Sequence, residues 1–587
     1  MITALEAIRL AKEIGGKDGL NCIAELDETA VAEQTECSGN APLPLLFGVP
    51  VLVKDNIDVK GFHTTAGSLA LEDNIAQNDA PVIRNLRRNG AVIIGKSNMT
   101  EFANFVSTKM PGGYSSRGGQ VIHAVKPELD PLGSSTGSAV AVAAGIVPMA
   151  VGTDTCHSVT ACAMGNGICG LKPPAGVLSQ EGIVPISKTF DSAGAMAQNV
   201  SDTLKLYSAM RDEPLPEIKP VPAGGLRIAV NTANSDMNPE ERKQFLDKVV
   251  ETIKNSGAAV SEVDEPPTPE LPAIMKREFG PGLAEYLGKS MAKLKTLKEI
   301  VEYFEAHPDT MMKYGYDRLH GALYDESQED VVEEEYQKAM KSRADQIKKV
   351  TEEIKDYDAV LITGPTYVNH LCGLPTITVA SRSLDSNGVR QAVMLYGTDE
   401  YRLYSAALTV EQLLNLEERN DSIVIKLAET DEELCGRGYV HCTSWQESYR
   451  GIVCDRYLDT MTVEATTARA RKFPENTLVA KDKDKVVGFA VYGPSRDEDL
   501  KNAGEVVAIY VLKEYYNQKI GYRLMNEAIS RLSEYNTIFV WVLEKNERAI
   551  RFYHRCGFEF DGCKKEWTLG KPVSIVRMVK KREYKKI

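Results

Sequence analysis

The chain lacks a long apolar run, a repeating cysteine pattern, internal repeats and low-complexity tracts, and each shortage removes a class of protein. Its longest apolar stretch, 139–151, holds Gly145 and Pro148 within 13 residues, too short to span a bilayer, so no membrane association is expected. Met1-Ile2-Thr3-Ala4-Leu5-Glu6 puts no basic segment ahead of an apolar one, so no secretory leader is expected either. The 11 cysteines are odd in number and irregularly spaced, which fits reduced thiols in a cytoplasm better than a disulfide framework. What is present is ordinary for a globular protein: 43% hydrophobic and 26% charged residues exclude disordered, collagenous and fibrous chains. At 587 residues the chain exceeds one compact core and reads as modular.

The net charge of -13 divides unevenly: residues 421–587 carry 29 Lys and Arg against 25 Asp and Glu, and the rest is strongly acidic. An acidic large part disfavours nucleic acid as a partner, whereas a mildly basic tail suits a small phosphorylated ligand. The Lys-rich stretch 580–586 reads as a solvated tail. In the first 200 residues, short apolar strands such as 49–53 and 91–94 alternate with helical stretches, the pattern of a layered α/β fold. A charged helix is expected over 330–355, delivering the chain into a buried strand at 358–363. A helix over 403–416 closes this part, and the polar 417–421 reads as a linker, giving domains 1–420 and 421–587. All three Trp, at 445, 541 and 567, lie in the second.

The segment richest in chemistry runs Gly133-Ser134-Ser135-Thr136-Gly137-Ser138, then an Ala/Val helix, then Gly152-Thr153-Asp154-Thr155-Cys156-His157-Ser158. A glycine and serine loop ahead of a helix can cradle phosphate, but this one lacks the Gly-Lys-Ser/Thr ending of a P-loop. For Ser135 and Ser138 alone, helix capping is an equally good account.

Taken together the motifs resemble the amidase signature family, whose serine- and glycine-rich stretch continues to Gly-Leu-Lys-Pro, here Gly170-Leu171-Lys172-Pro173. Further matches are Gly48–Asn56, Gly95–Phe102, and Gly364-Pro365-Thr366 followed by Gly373–Val379, spreading over nearly all of residues 40–420. The resemblance implies an α/β fold with a central mixed sheet covered by helices. It also implies a catalytic set of Ser158 as nucleophile, Ser134 as bridging serine behind a cis bond, and Lys54 as base. A serine hydroxyl needs such a base, and a lysine serves only when burial lowers its pKa towards neutrality. The oxyanion donors would be the N–H groups of Thr155, Cys156, His157 and Ser158. Family members mostly have Gly-Gly where this chain has Cys156-His157, and Arg-x-Pro where it has Thr160-Ala161-Cys162. Three readings of Cys156-His157 remain open at this point: a pocket lining, a thiol nucleophile, or a degenerate loop that leaves the amidase weak or inactive, with acetyltransfer or binding as the surviving role. No metal is expected, because Cys156, His157 and Cys162 are too close in sequence to aim at one tetrahedral ion. Phe102-Ala103-Asn104-Phe105, Tyr114–Gln120 and Asp191–Gly194 look most like the branch containing bacterial peptide amidases, so the expected substrate is a small-molecule or peptide amide, cleaved without a cofactor.

Residues 423–587 resemble the GNAT acetyltransferase superfamily, an α+β fold. A strand, Glu505–Leu512, precedes Gln518-Lys519-Ile520-Gly521-Tyr522-Arg523 at the head of a helix, and Asn546–Tyr553 with Gly557-Phe558 match later elements. The resemblance implies acetyl-CoA as cosubstrate, held by Val511, Gln518, Lys519, Ile520, Gly521, Tyr522, Arg523 and Asn546, with the pyrophosphate on helix N–H groups. Tyr553 would be the general acid and Glu505 a base for the amine acceptor, with a packing role for Tyr553 and a solvated strand end for Glu505 as the alternatives. Arg523 stands where a small residue is usual. The combined expectation is a cytoplasmic amidohydrolase fused to an N-acetyltransferase.

Overall fold

A computed structural model describes residues 2–30, 43–324, 326–516 and 520–581. The chain divides into two compact units, Met1–Asn415 and Leu416–Ile587.

Among the described residues of the first unit, eleven strands form one mixed sheet. Their order is Ile23–Leu26, Val92–Ser97, Pro50–Lys54, Met149–Asp154, Ser192–Ala197, Cys169–Lys172, Thr376–Leu384, Arg390–Tyr396, Ala359–Ile362, Arg227–Asn231 and Ala259–Val263. Pro50–Lys54 lies parallel to both of its neighbours, Val92–Ser97 and Met149–Asp154. All three are buried along their whole length, which is why they read as near-continuous apolar runs rather than alternating ones. Because strand side chains alternate between faces, Val51 and Val53 enter the cluster containing Leu86, Leu206 and Tyr207. Leu52 enters the cluster on the other face, with Val140, Val142, Cys162 and Ala163. That parity turns Lys54, the last residue of its strand, towards the face covered by the helices Thr136–Ala143 and Thr160–Gly165. Ligand sites in such sheets gather outside the carboxyl ends of parallel strands, and Lys54 and Asp154 both sit at such ends.

The charged helix expected over 330–355 is Glu329–Ile354, burying little besides Val332, Ala339, Val350 and Ile354. The polar stretch 417–421, expected as a linker, has helical backbone: it continues a helix, Glu400–Ser422, as Glu417, Glu418 and Arg419 favour.

The second unit is a seven-stranded sheet among the described residues, in the order Ile423–Leu427, Thr477–Asp482, Lys485–Pro494, Gly504–Val511, Thr537–Leu543, Pro572–Lys581 and Glu559–Thr568. Only Gly504–Val511 and Thr537–Leu543 pair in parallel, over Gly504↔Ile538 and Glu505↔Phe539. The helix Ile520–Arg531 joins them and buries Ile520, Leu524, Met525 and Ala528, the face that the four-residue spacing predicts.

The tight approach of the helix Thr136–Ala143 to its surroundings has a measurable consequence. A Cβ added at Gly137 would stand 2.4 Å from Asn98 O and 2.5 Å from Cys22 O, both backbone atoms. Gly137→Ala should therefore destabilise the first unit by about 1–3 kcal/mol, the usual cost of overpacking, read as a lowered midpoint in urea unfolding followed by circular dichroism.

Candidate active site

Lys54 is fully buried, and its Nζ has four oxygen neighbours. They are Ser134 Oγ at 2.8 Å, Ser135 Oγ at 3.0 Å, Thr153 Oγ1 at 2.8 Å and Thr153 O at 3.2 Å. Burial disfavours the ammonium form and lowers the amine to about 7, only partly opposed by the negative charge of Asp154 and Asp191. The neighbours then sort themselves. Thr153 O can only accept, and Ser135 Oγ gives its own hydrogen to Thr153 O at 2.9 Å, so towards Lys54 it too accepts. The lone pair of the neutral amine can accept from a neighbouring hydroxyl, and one of these is Ser134 Oγ, which follows a cis Gly133-Ser134 bond. Ser158 is buried, and its carbonyl accepts from Ser135 N–H at 3.2 Å, which brings the backbone of Ser158 beside the serine pair that contacts Lys54. Asn56 Nδ2 donates to Thr153 Oγ1 at 3.1 Å, completing the surroundings of the amine.

The loop carrying Ser158 differs from the expectation at one atom. His157 has φ 69°, in the left-handed region that glycine usually fills. Its N–H, expected among the oxyanion donors, instead donates to His370 Nε2 at 3.1 Å. The His157 ring is held by Thr366 O, 2.7 Å from Nε2, and by Thr160 Oγ1, 3.0 Å from Nδ1. Asp154 Oδ2 accepts from the N–H groups of Val159 at 2.7 Å and Thr160 at 3.1 Å, fixing the turn after Ser158. Thr155 Oγ1 donates to Asp191 Oδ1 at 2.6 Å, and burial pushes that carboxyl up to about 6. Cys156 packs beside Phe190 and Leu271, and burial pushes its thiol up to about 12, with Asp154 and Asp191 adding to the effect. Such a thiol carries almost no thiolate at neutral pH. Among the described residues no cluster of His, Cys, Asp and Glu suited to a metal ion occurs. A narrow pocket beside Thr153 and Thr155 shares Gln180, Ile183 and Pro185 with a larger cavity of about 1050 Å³. Charged side chains of both signs, among them Asp79, Arg84, Arg277 and Glu285, line the larger one.

In the second unit the expected residues are only partly assembled. Glu505 is almost fully buried, and both of its oxygens are taken by Arg496, at 2.9 and 2.6 Å. It is therefore an ion-paired residue rather than a free base or a solvated strand end. Tyr553 is buried, and desolvation raises its phenol above the usual range, so it stays protonated. Asn546 caps the helix Glu547–Arg555, its Oδ1 accepting from Ala549 N–H at 3.1 Å. Ile520, Gly521, Tyr522 and Arg523 form the first turn of the helix Ile520–Arg531, which has no acidic side chain there. Arg523 donates to Ile423 O at 2.8 Å, and Val511 ends the neighbouring strand. Gln518 and Lys519 lie outside the described residues.

Residues 9–371 match the amidase family. A probable amidase of Arabidopsis thaliana is 31% identical over 409 residues, which cover 65% of this chain and 79% of that protein. The chain belongs to the amidase family. Solved amidase structures agree with this. An amidase family protein from Bacillus anthracis superposes with a TM-score of 0.64 at 27% identity, covering 70% of this chain and 88% of its own. The peptide amidase from Stenotrophomonas maltophilia does so with a TM-score of 0.61 at 26% identity, covering 70% and 94%. Residues 439–558 match the acetyltransferase (GNAT) family. The chain is thus an amidase-family hydrolase carrying a C-terminal GNAT domain, and no helix among its described residues is long and apolar enough to cross a membrane.

Sequence reasoning missed Thr153, Ser135 and His370. Thr153 and Ser135 lie inside motifs already singled out, and their backbone and hydroxyl oxygens surround the amine. His370 meets His157 across 213 positions, a separation that no local pattern signals.

Because the amine of Lys54 lies near 7, hydrolysis should rise with pH as the ammonium is lost. Activity is expected to be low below about 6, half-maximal near 7 and level above about 8. A pH–rate profile of kcat/KM checks this, and a profile flat from pH 5 to 9 would contradict it.

Proposed function

We infer that the first unit hydrolyses a carboxamide through an acyl-enzyme formed on Ser158. The observation that carries this reading is the 2.8 Å contact between the buried Lys54 amine, lowered to about 7, and Ser134 Oγ. In this reading Ser158 Oγ attacks the amide carbonyl carbon while its proton passes to Ser134 Oγ, whose own proton passes to Lys54 Nζ. The carbonyl oxygen becomes an oxyanion held by loop N–H groups, those of Cys156 and Ser158 being preferred because His157 N–H is engaged by His370. Collapse of the tetrahedral intermediate breaks the C–N bond, and the proton returns from Lys54 through Ser134 to the departing amine. Water then attacks the ester by the same relay, releasing the acid and restoring Ser158. The cavity of about 1050 Å³ beside the narrow pocket, with charged side chains of both signs among its lining, suits an extended substrate such as a peptide amide better than a small apolar one.

The GNAT domain is read as an N-acetyltransferase. Its residues fit acetyl-CoA. The first turn of the helix Ile520–Arg531 offers N–H groups without an acidic side chain, and Arg523 is drawn towards Ile423 O. Ile520, Gly521 and Tyr522 would hold the pyrophosphate, and acetyl-CoA supplies the acetyl group when bound. Tyr553 keeps its phenolic proton available for transfer. Glu505 has no part as base in this reading, its oxygens being held by Arg496.

A fluorophosphonate probe should label the parent protein. Labelling should vanish in Ser158→Ala, persist in Cys156→Ser, and fall at least a hundredfold in rate in Lys54→Ala, with unchanged circular dichroism in each. Label retained in Ser158→Ala but lost in Cys156→Ser would overturn the nucleophile assignment. For the second unit, acetyl-CoA at 100 times its Kd should stabilise the full-length protein by about 2.7 kcal/mol. All three Trp lie beyond residue 421, so intrinsic Trp fluorescence should follow that transition. An unchanged transition at millimolar acetyl-CoA would remove the acetyltransferase reading.

A further inference from the structure

We propose that His370 is a positioning residue for the nucleophile, holding the loop ahead of Ser158 by accepting the N–H of His157 at its Nε2. The inference rests on the reading that Ser158 is the nucleophile, and it adds a device that this chain uses to place it.

The geometry fixes both ring nitrogens. A backbone N–H only donates, so His370 Nε2, 3.1 Å from His157 N, must be an unprotonated acceptor. A neutral imidazole then carries its hydrogen on Nδ1. That atom lies 3.5 Å from Asp154 Oδ1, too long for a hydrogen bond, and neither atom makes one among the described residues. The other oxygen of the same carboxylate caps Val159 and Thr160. Asp154 therefore caps the turn directly after Ser158 with one oxygen and lies beside His370 with the other. His370 is fully buried on the short helix Val368–Leu371, and burial, with the charges of His157 and Lys172, holds it well below the usual histidine range. It is therefore neutral, as the acceptor role requires. The two rings meet edge to face at 4.0 Å and 81°, and Thr366, four residues before His370, takes the His157 ring at 2.7 Å.

This arrangement answers a local problem. A non-glycine residue in left-handed backbone costs about 1–2 kcal/mol, and His157 adopts φ 69° one residue before the reacting hydroxyl. A hydrogen bond at its N–H and another at its ring oppose relaxation of that backbone, which would rotate Ser158 away from Ser134.

Two conservative variants separate the ends of His370. Glutamine can place an acceptor oxygen where Nε2 stands, whereas asparagine reaches only to the Nδ1 position and leaves His157 N–H without its acceptor. In the full-length protein, His370→Gln is expected to keep the fluorophosphonate labelling rate and kcat within about threefold of the parent. His370→Asn is expected to lose at least tenfold in both, with KM nearly unchanged. Amide hydrogen exchange of peptides covering 154–161, read by mass spectrometry, should be at least tenfold faster in the Asn variant and near parental in the Gln variant. A buried polar group that matters only for packing would not favour the longer side chain in this way. Parental exchange in His370→Asn, or loss of protection and labelling in His370→Gln equal to that in His370→Asn, would overturn the proposal. If the parent protein takes no label, the hydrolase reading fails while the exchange comparison still decides the role of His370.

Discussion

The burial of one amine constrains the rest of the active site. An ammonium group enclosed by protein without a close carboxylate partner is unfavourable, and the protein answers by letting the group lose its proton near neutrality. Moving a lysine from its ordinary 10.5 to about 7 corresponds to roughly 5 kcal/mol of preference for the neutral form. That preference needs an enclosure rather than an ion pair, and the sheet supplies it. Pro50–Lys54 runs parallel between two other fully buried strands, so its last side chain emerges beneath the helices that cover the sheet. The oxygens of Ser135 and Thr153 then satisfy the hydrogens of the amine. Its lone pair can then accept from a neighbouring hydroxyl such as that of Ser134.

The loop carrying Ser158 is held by a different kind of constraint. Close to the amine the contacts are hydroxyl and carbonyl oxygens of two serine- and threonine-rich motifs, 80 to 99 positions from Lys54. Around Ser158 they are a carboxylate five and six positions from the N–H groups it caps, Asp191 from a loop ahead of the next strand, and Thr366 and His370 from more than 200 positions away. Of the loop residues, His157 has the least tolerant backbone and the most ties. A side chain at a glycine-like position is thus accommodated by fixing both its ring and its N–H, at the cost of removing that N–H from the oxyanion set.

What the sequence discloses follows from this division. The fold class and the nearness of the three segments 50–54, 133–138 and 152–158 are legible because strand burial and ordered motifs are written locally in each. The Cys156 thiol could not be judged from sequence, since its suppression comes from packing with Phe190 and from two carboxylates brought in by the fold. The partnership of His157 with His370 was out of reach for the same reason, and with it the loss of one expected oxyanion donor. At 417–421 polarity suggested a linker, but helix propensity governs the backbone there.

Glu505 shows the limit of reading chemistry from residue type and position. A carboxylate at the start of the strand Gly504–Val511 has the chemistry of a general base, and the strand is where it was expected. A base, however, also needs an accessible lone pair, and Arg496 covers both oxygens of this one with a bidentate contact. The guanidinium comes from the loop after the preceding strand, nine positions away, close in sequence but invisible to any pattern based on periodicity. Tyr553 is the contrasting case: its burial denies it ionisation but not its proton, so the same desolvation that disqualifies a base is compatible with an acid. Within the GNAT domain, then, Glu505 is held in an ion pair while Tyr553 keeps its proton.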